Sequence, residues 1–163
     1  MDDKSREITG KIFIYISIFL YLTSLINLAI SATKSDYYGW EVLLVGGFQT
    51  FISLLGFVNG IGELSIQTSI EYLTLALPWL ANVSMIVTSL LFFCGSKFCR
   101  FFAIISIVCV GIFFTFPKAV IGNEISIVNV QPQIGAYLWA LTAVLLLVAT
   151  LVKKYEARSN MEI

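Results

Sequence analysis

Between residues 72 and 117 the only charges are Lys97 and Arg100, and they sit almost together. The uncharged runs on either side cannot be left in water. A hydrocarbon layer about 30 Å thick takes about 20 apolar residues as helix, so the segment predicts a transmembrane helical hairpin turned by the basic loop at 94–100. Spans are expected at 72–96 and 98–117. Pro78 falls near the outer end of the first arm, where neighbouring groups can compensate a lost backbone bond. Pro117 closes the second.

The same reasoning marks two more spans. Residues 12–33 carry no charge, and neither do 134–152. Ala29, Ile30 and Ser31 could pass for a small-residue cleavage site. The apolar run is longer than the roughly 7–15 residues of a signal peptide's core, so an anchor is expected. The charged ends, 1–11 and 153–163, read as cytoplasmic tails. Composition agrees with a lipid setting: 58% of residues are hydrophobic and 12% charged, against about 45–50% and 25% in soluble domains. One domain accommodates the whole length, and no internal repeat is visible.

Residues 42–62 are also uncharged and long enough to cross. On a helix, Gly46, Gln49, Ser53, Gly56 and Gly60 fall on one stripe, and Gly56 with Gly60 form a small-xxx-small pair that lets helices approach. Basic residues near helix ends fix orientation. If 42–62 does not cross, Lys4, Arg6, Lys11, Lys97, Arg100, Lys153, Lys154 and Arg158 lie inside, against Lys34 and Lys118 outside. That is eight to two. If it crosses, the split is four to six, or six to four with the chain inverted. The expected fold is therefore an all-α membrane protein. It is a four-transmembrane-helix bundle in the plasma (inner) membrane with both termini cytoplasmic. Residues 42–62 form an additional amphipathic or re-entrant helix packed on the outer side.

In this threading Tyr37, Tyr38, Trp40, Glu41, Trp79, Tyr137 and Trp139 gather at the outer face, a candidate interaction surface of the aromatic kind found at membrane interfaces. Residues 34–41 and 63–71 are expected as polar outer loops. Within the loop at 118–133, partial alternation over 124–131 predicts a short strand after a turn at Gly122–Asn123.

The chemistry is sparse. There is no histidine, and the expected spans hold no ionisable residue of the kind that marks proton or ion pathways. No nucleophile–base pair, phosphate loop or metal-ligand spacing occurs, so no catalytic residue, cofactor or metal is expected. Zero net charge speaks against a nucleic-acid partner. Cys94, Cys99 and Cys109 are odd in number and two of them flank the inner loop, so they read as reduced thiols. The neutral polar residues Ser24, Asn27, Asn82, Ser84, Thr88, Ser106, Thr115 and Thr142 are expected to hydrogen-bond between helices. Asn27 and Asn82 together could instead floor an outward pocket.

Gly39-Trp40-Glu41 through Gly46, then Trp79-Leu-Ala-Asn82, the basic turn, and Gly135-Ala-Tyr-Leu-Trp139 form a layout similar to that of small four-helix bacterial inner-membrane proteins, largely uncharacterised. The likeness covers about residues 38–146, and departs where Val83 and Ser84 stand near a position at which such proteins often carry proline. It implies the four-span threading and no activity. The expected function is a non-enzymatic accessory protein that binds membrane lipid, a protein partner or a second copy of itself. A small-solute transporter or channel built on Asn27 and Asn82 is the alternative.

Overall fold

The computed structural model describes residues 3–32, 35–59, 66–121 and 126–153. Five helices dominate: α1 (Asp3–Ile26), α2 (Gly39–Asn59), α3 (Ile66–Phe93), α4 (Cys99–Thr115) and α5 (Ile134–Val152). Three contain stretches long and apolar enough to cross a membrane, at Lys4–Ile26, Leu75–Phe93 and Ile134–Val152. At 17 residues, α4 is about 26 Å long, slightly under the hydrocarbon thickness.

The chain is not all-α. Among the described residues, five strands lie between the helices: β1 (Leu28–Ala32), β2 (Ser35–Tyr38), β3 (Lys118–Ile121), β4 (Ser126–Asn129) and β5 (Gln131–Pro132). β1 pairs antiparallel with both β2 and β5, and β3 pairs with β4. The first expected span, 12–33, is thereby corrected. Helix stops at Ile26, and Leu28–Ala32 becomes a strand held by two neighbours. The expected polar loop at 63–71 is corrected too, because Ile66–Glu71 already belongs to α3. The strand expected in 124–131 is present as β4 and the start of β5, while Gly122–Asn123 lies outside the described residues.

Small residues set the packing. On α1 the buried seam Gly10, Ile14, Ser17 and Ser24, with half-buried Tyr21 between, recurs at spacings of four and three. It meets α5, whose buried side is Gly135, Ala136, Thr142, Ala143, Leu146, Ala149 and Thr150. Such spacing suits helices packed at a shallow angle, and small side chains bring the backbones close. A Cβ on Gly10 would stand 3.1 Å from the Phe92 ring and 3.4 Å from the Ala149 carbonyl oxygen. α3 packs on α4, α4 on α5, and α2 lies on α3. Ala81, Met85, Phe92, Cys99, Cys109 and Val110 fill the centre.

The two ends of the bundle are closed differently. At one end the turn 94–98 passes through Gly95 at φ 72°, a left-handed conformation suited to glycine. Arg100 donates from Nε to the Thr150 carbonyl at 3.0 Å and from Nη2 to that of Lys153 at 3.1 Å. Lys153 donates from Nζ to the Phe92 carbonyl at 2.7 Å and lies over the Phe92 ring. Two cations thus meet the negative C-terminal ends of α5 and α3. The opposite end is closed by backbone and strands, and holds the site described next.

Candidate functional site at the strand-bearing end

The C-terminus of α1 meets the first turns of α2 and α5. A Cβ on Gly39 would fall on the Ser24 carbonyl oxygen, and one on Gly135 would stand 2.9–3.0 Å from the carbonyl oxygens of Leu28, Asn27 and Ser24. Only glycine lets these three backbones converge. The Gly39 N–H donates to the Asn27 carbonyl at 3.0 Å, and the Gln133 N–H to that of Ala29 at 2.8 Å. Positive N-terminal helix ends are thereby set against carbonyls at the negative end of α1. Glu41 completes the start of α2: its Oε2 accepts the Tyr38 N–H at 2.8 Å, half of a capping box.

Beneath this junction is a cavity of about 110 Å³. Its apolar walls include Leu25, Ile30, Val42, Leu75, Phe113 and Ala136, and its aromatic ones Tyr37, Trp79 and Trp139. Glu41 and Lys118, of opposite charge, also line it, as does Asn82. Trp79 is fixed by the glycine pair of α2: a Cβ on Gly47 would stand 2.8 Å from Trp79 Nε1, and one on Gly46 3.8 Å from Cδ1. Trp139 lies edge-on to Phe113, with ring centroids 5.8 Å apart.

Asn82 is the polar centre. It is 8% exposed. Its Oδ1 accepts from Tyr21 Oη at 3.0 Å and from Trp139 Nε1 at 2.9 Å, and its Nδ2 donates to the Pro78 carbonyl at 3.1 Å. One amide thus ties α1, α3 and α5 together, and satisfies two aromatic side chains that need a partner when buried.

The residues singled out from sequence separate into groups. Of the aromatic–acidic face, Tyr37, Glu41, Trp79 and Trp139 turn inward and line the cavity, whereas Tyr38, Trp40 and Tyr137 are exposed. Asn27 and Asn82 do not form one patch. Asn27 lies just past α1 rather than in a span, and its Nδ2 donates to the Thr23 carbonyl at 2.7 Å. Of the glycine stripe, Gly46 meets Trp79. Gln49, Ser53 and Gly56 belong to α2 with their packing outside the description, and Gly60 lies outside the described residues. Five of the hydroxyls expected to bridge helices instead return to their own: Ser24 to the Tyr21 carbonyl, Thr88 to Ser84, Ser106 to Phe102, Thr115 to Gly111 and Thr142 to Leu138. Cys94 is exposed, and Cys99 and Cys109 are buried thiols. Sequence reasoning passed over Tyr21 and Gly47 altogether. A tyrosine inside an otherwise apolar run is the available signal for the first, since its hydroxyl must find an acceptor.

Among the described residues, no three histidines, cysteines or carboxylates lie close enough together to hold a metal ion. The fold and site define a mostly helical protein with three helices able to cross a membrane and an aromatic cavity at one end. Comparison with protein-family models, curated proteins and solved structures gives no match. The likeness to small four-helix bacterial inner-membrane proteins therefore rests on the residue pattern alone.

Proposed function

We propose that this is a non-enzymatic integral protein of the plasma membrane. It crosses four times, through α1, α3, α4 and α5, with both termini cytoplasmic and the cavity at the outer end. It acts as an accessory protein that holds part of a partner protein or a lipid in that cavity. The carrying observation is convergence: all five helices contribute to one aromatic-walled cavity, whose central amide is already held by protein groups. A site of this kind is concave, mostly apolar and equipped with few polar groups, as binding sites generally are. The threading draws support from the alternation of helix ends. The starts of α1 and α4 lie beside the ends of α3 and α5, which puts Lys97, Arg100 and Lys153 at one end. α2 begins at the other end and rests on α3.

A photoreactive residue replacing Val45, which is exposed and lines the cavity, tests this in intact cells. The expected result is a discrete adduct of defined mass at position 45. The same probe replacing Leu151, exposed near the end of α5, should give only diffuse lipid labelling. Equal labelling at both positions would remove the reading. The solute-transporter alternative predicts flux into liposomes that Asn82→Leu abolishes. It has less support, because Tyr21, Asn82 and Trp139 are hydrogen-bonded to one another across α1, α3 and α5 at the cavity.

A further inference from the structure

Four aromatic rings reach the outer cavity, each from a different element: Tyr37 from β2, Trp79 from α3, Phe113 from α4 and Trp139 from α5. Phe113 and Trp139 stand at 86° to one another, so these walls face in different directions. At about 110 Å³ the space holds a small group, since sites for drug-sized molecules run to about 300–1,000 Å³. The half-buried Glu41 also lines it. One of its carboxylate oxygens, Oε2, is held by the Tyr38 N–H. Among the described residues no ion pair engages Glu41. Lys118, the other charge at the cavity, has an interaction of its own within the protein. Aromatic ring faces and a carboxylate without a counter-ion both attract a cation.

The hydrogen bonds already made by the walls narrow the kind of cation. Asn82 Oδ1 accepts from Tyr21 and from Trp139, and its Nδ2 donates to the Pro78 carbonyl. Of the side-chain amide and carboxylate oxygens lining the cavity, Glu41 Oε1 is left. A primary ammonium brings three N–H donors, and each donor buried without an acceptor is costly. A quaternary ammonium brings none, and its charge is spread over methyl groups that pack against rings. Resting on the outer-cavity reading, we infer that the cavity receives a quaternary ammonium group, its methyls against Tyr37, Trp79 and Trp139 and its charge beside Glu41. The head of a choline lipid and a free choline-like solute share this chemistry.

The test titrates the full chain, in a maltoside detergent, with choline, with ethanolamine and with dimethylbutanol, the uncharged isostere of choline. Calorimetry reads affinity and tryptophan emission reports occupancy. Choline should bind about tenfold more tightly than either of the others. Glu41→Gln, which keeps an oxygen acceptor for the Tyr38 N–H, should bring choline down to the level of dimethylbutanol. Trp79→Leu should weaken choline about tenfold, with circular dichroism checking that the helices remain; if they do not, Glu41→Gln decides alone. Val108→Ala, on the exposed side of α4, should change nothing. In nanodiscs, weaker choline binding in phosphatidylcholine than in phosphatidylethanolamine assigns the group to a lipid head, and equal binding assigns it to a free solute. Choline binding no tighter than dimethylbutanol, or choline affinity unmoved by Glu41→Gln, overturns the inference. If the crosslinker at position 45 still gives its discrete adduct while choline has no advantage over dimethylbutanol, the ammonium inference fails and the outer-cavity reading stands.

Discussion

The two ends of this bundle solve the same problem by opposite means. Both must satisfy helix-terminal backbone groups that have no partner within the helix. At the turn-bearing end, long cationic side chains do so. Arg100 and Lys153 reach across to carbonyls of neighbouring helices, and Phe92 and Ala149 pack tightly beneath them. At the strand-bearing end, backbone meets backbone. Gly39 and Gly135 admit the helix starts against the end of α1, and three strands take up the remaining groups. Side-chain closure ties the ends of α3 and α5 to their neighbours directly. Backbone closure has beneath it the cavity that Trp79, Trp139 and Asn82 line. The difference teaches that one bundle can close one end with cationic side chains and the other with backbone contacts that only glycine admits, the aromatic cavity lying beneath the second.

Substitution can break that contrast. Gly39→Val should have the largest effect, because its side chain meets the backbone of Ser24 and Leu25, which cannot swing aside. A loss of about 3 kcal/mol is expected, read by unfolding in mixed detergent. Asn82→Leu comes next. It strands the Tyr21 hydroxyl and the Trp139 N–H, at a cost of about 1–2 kcal/mol for the pair of bonds, with a change in tryptophan emission. Tyr21→Phe should recover much of that loss, since it removes the donor as well as the bond. Arg100→Gln should have the smallest effect, about 0.5–1 kcal/mol, because its contact with a helix end is exposed. An Arg100→Gln variant less stable than Gly39→Val would reverse the comparison between the ends.

How far the sequence carries is clear from particular residues. The uncharged run at 134–152 coincides with α5, because charge and polarity change sharply at both borders. The run at 12–33 does not coincide with a helix. Lack of charge reports that a segment is desolvated and says nothing of its backbone conformation, so Leu28–Ala32 could be strand without leaving a trace in hydropathy. The two sheets were only partly legible for the same reason, since β1 draws its pairing from residues 35–38 and from 131–132. The residue types of the site were legible. Trp79, Trp139, Glu41 and Asn82 stood out as interfacial aromatics and as polar groups in apolar surroundings. Their arrangement was not. Tyr21 and Asn82 are 61 residues apart in the chain, and no local pattern encodes that meeting.

The assignment of the cavity to the outside rests on threading, and native Cys94 offers the direct measurement. It is exposed in the turn beside Lys97. A membrane-impermeant thiol reagent applied to intact cells should leave Cys94 unlabelled until the membrane is permeabilised, while a Tyr38→Cys variant should be labelled at once. Labelling of Cys94 in intact cells, with Tyr38→Cys protected, would put the basic turn outside and the aromatic cavity within, contradicting the proposed orientation.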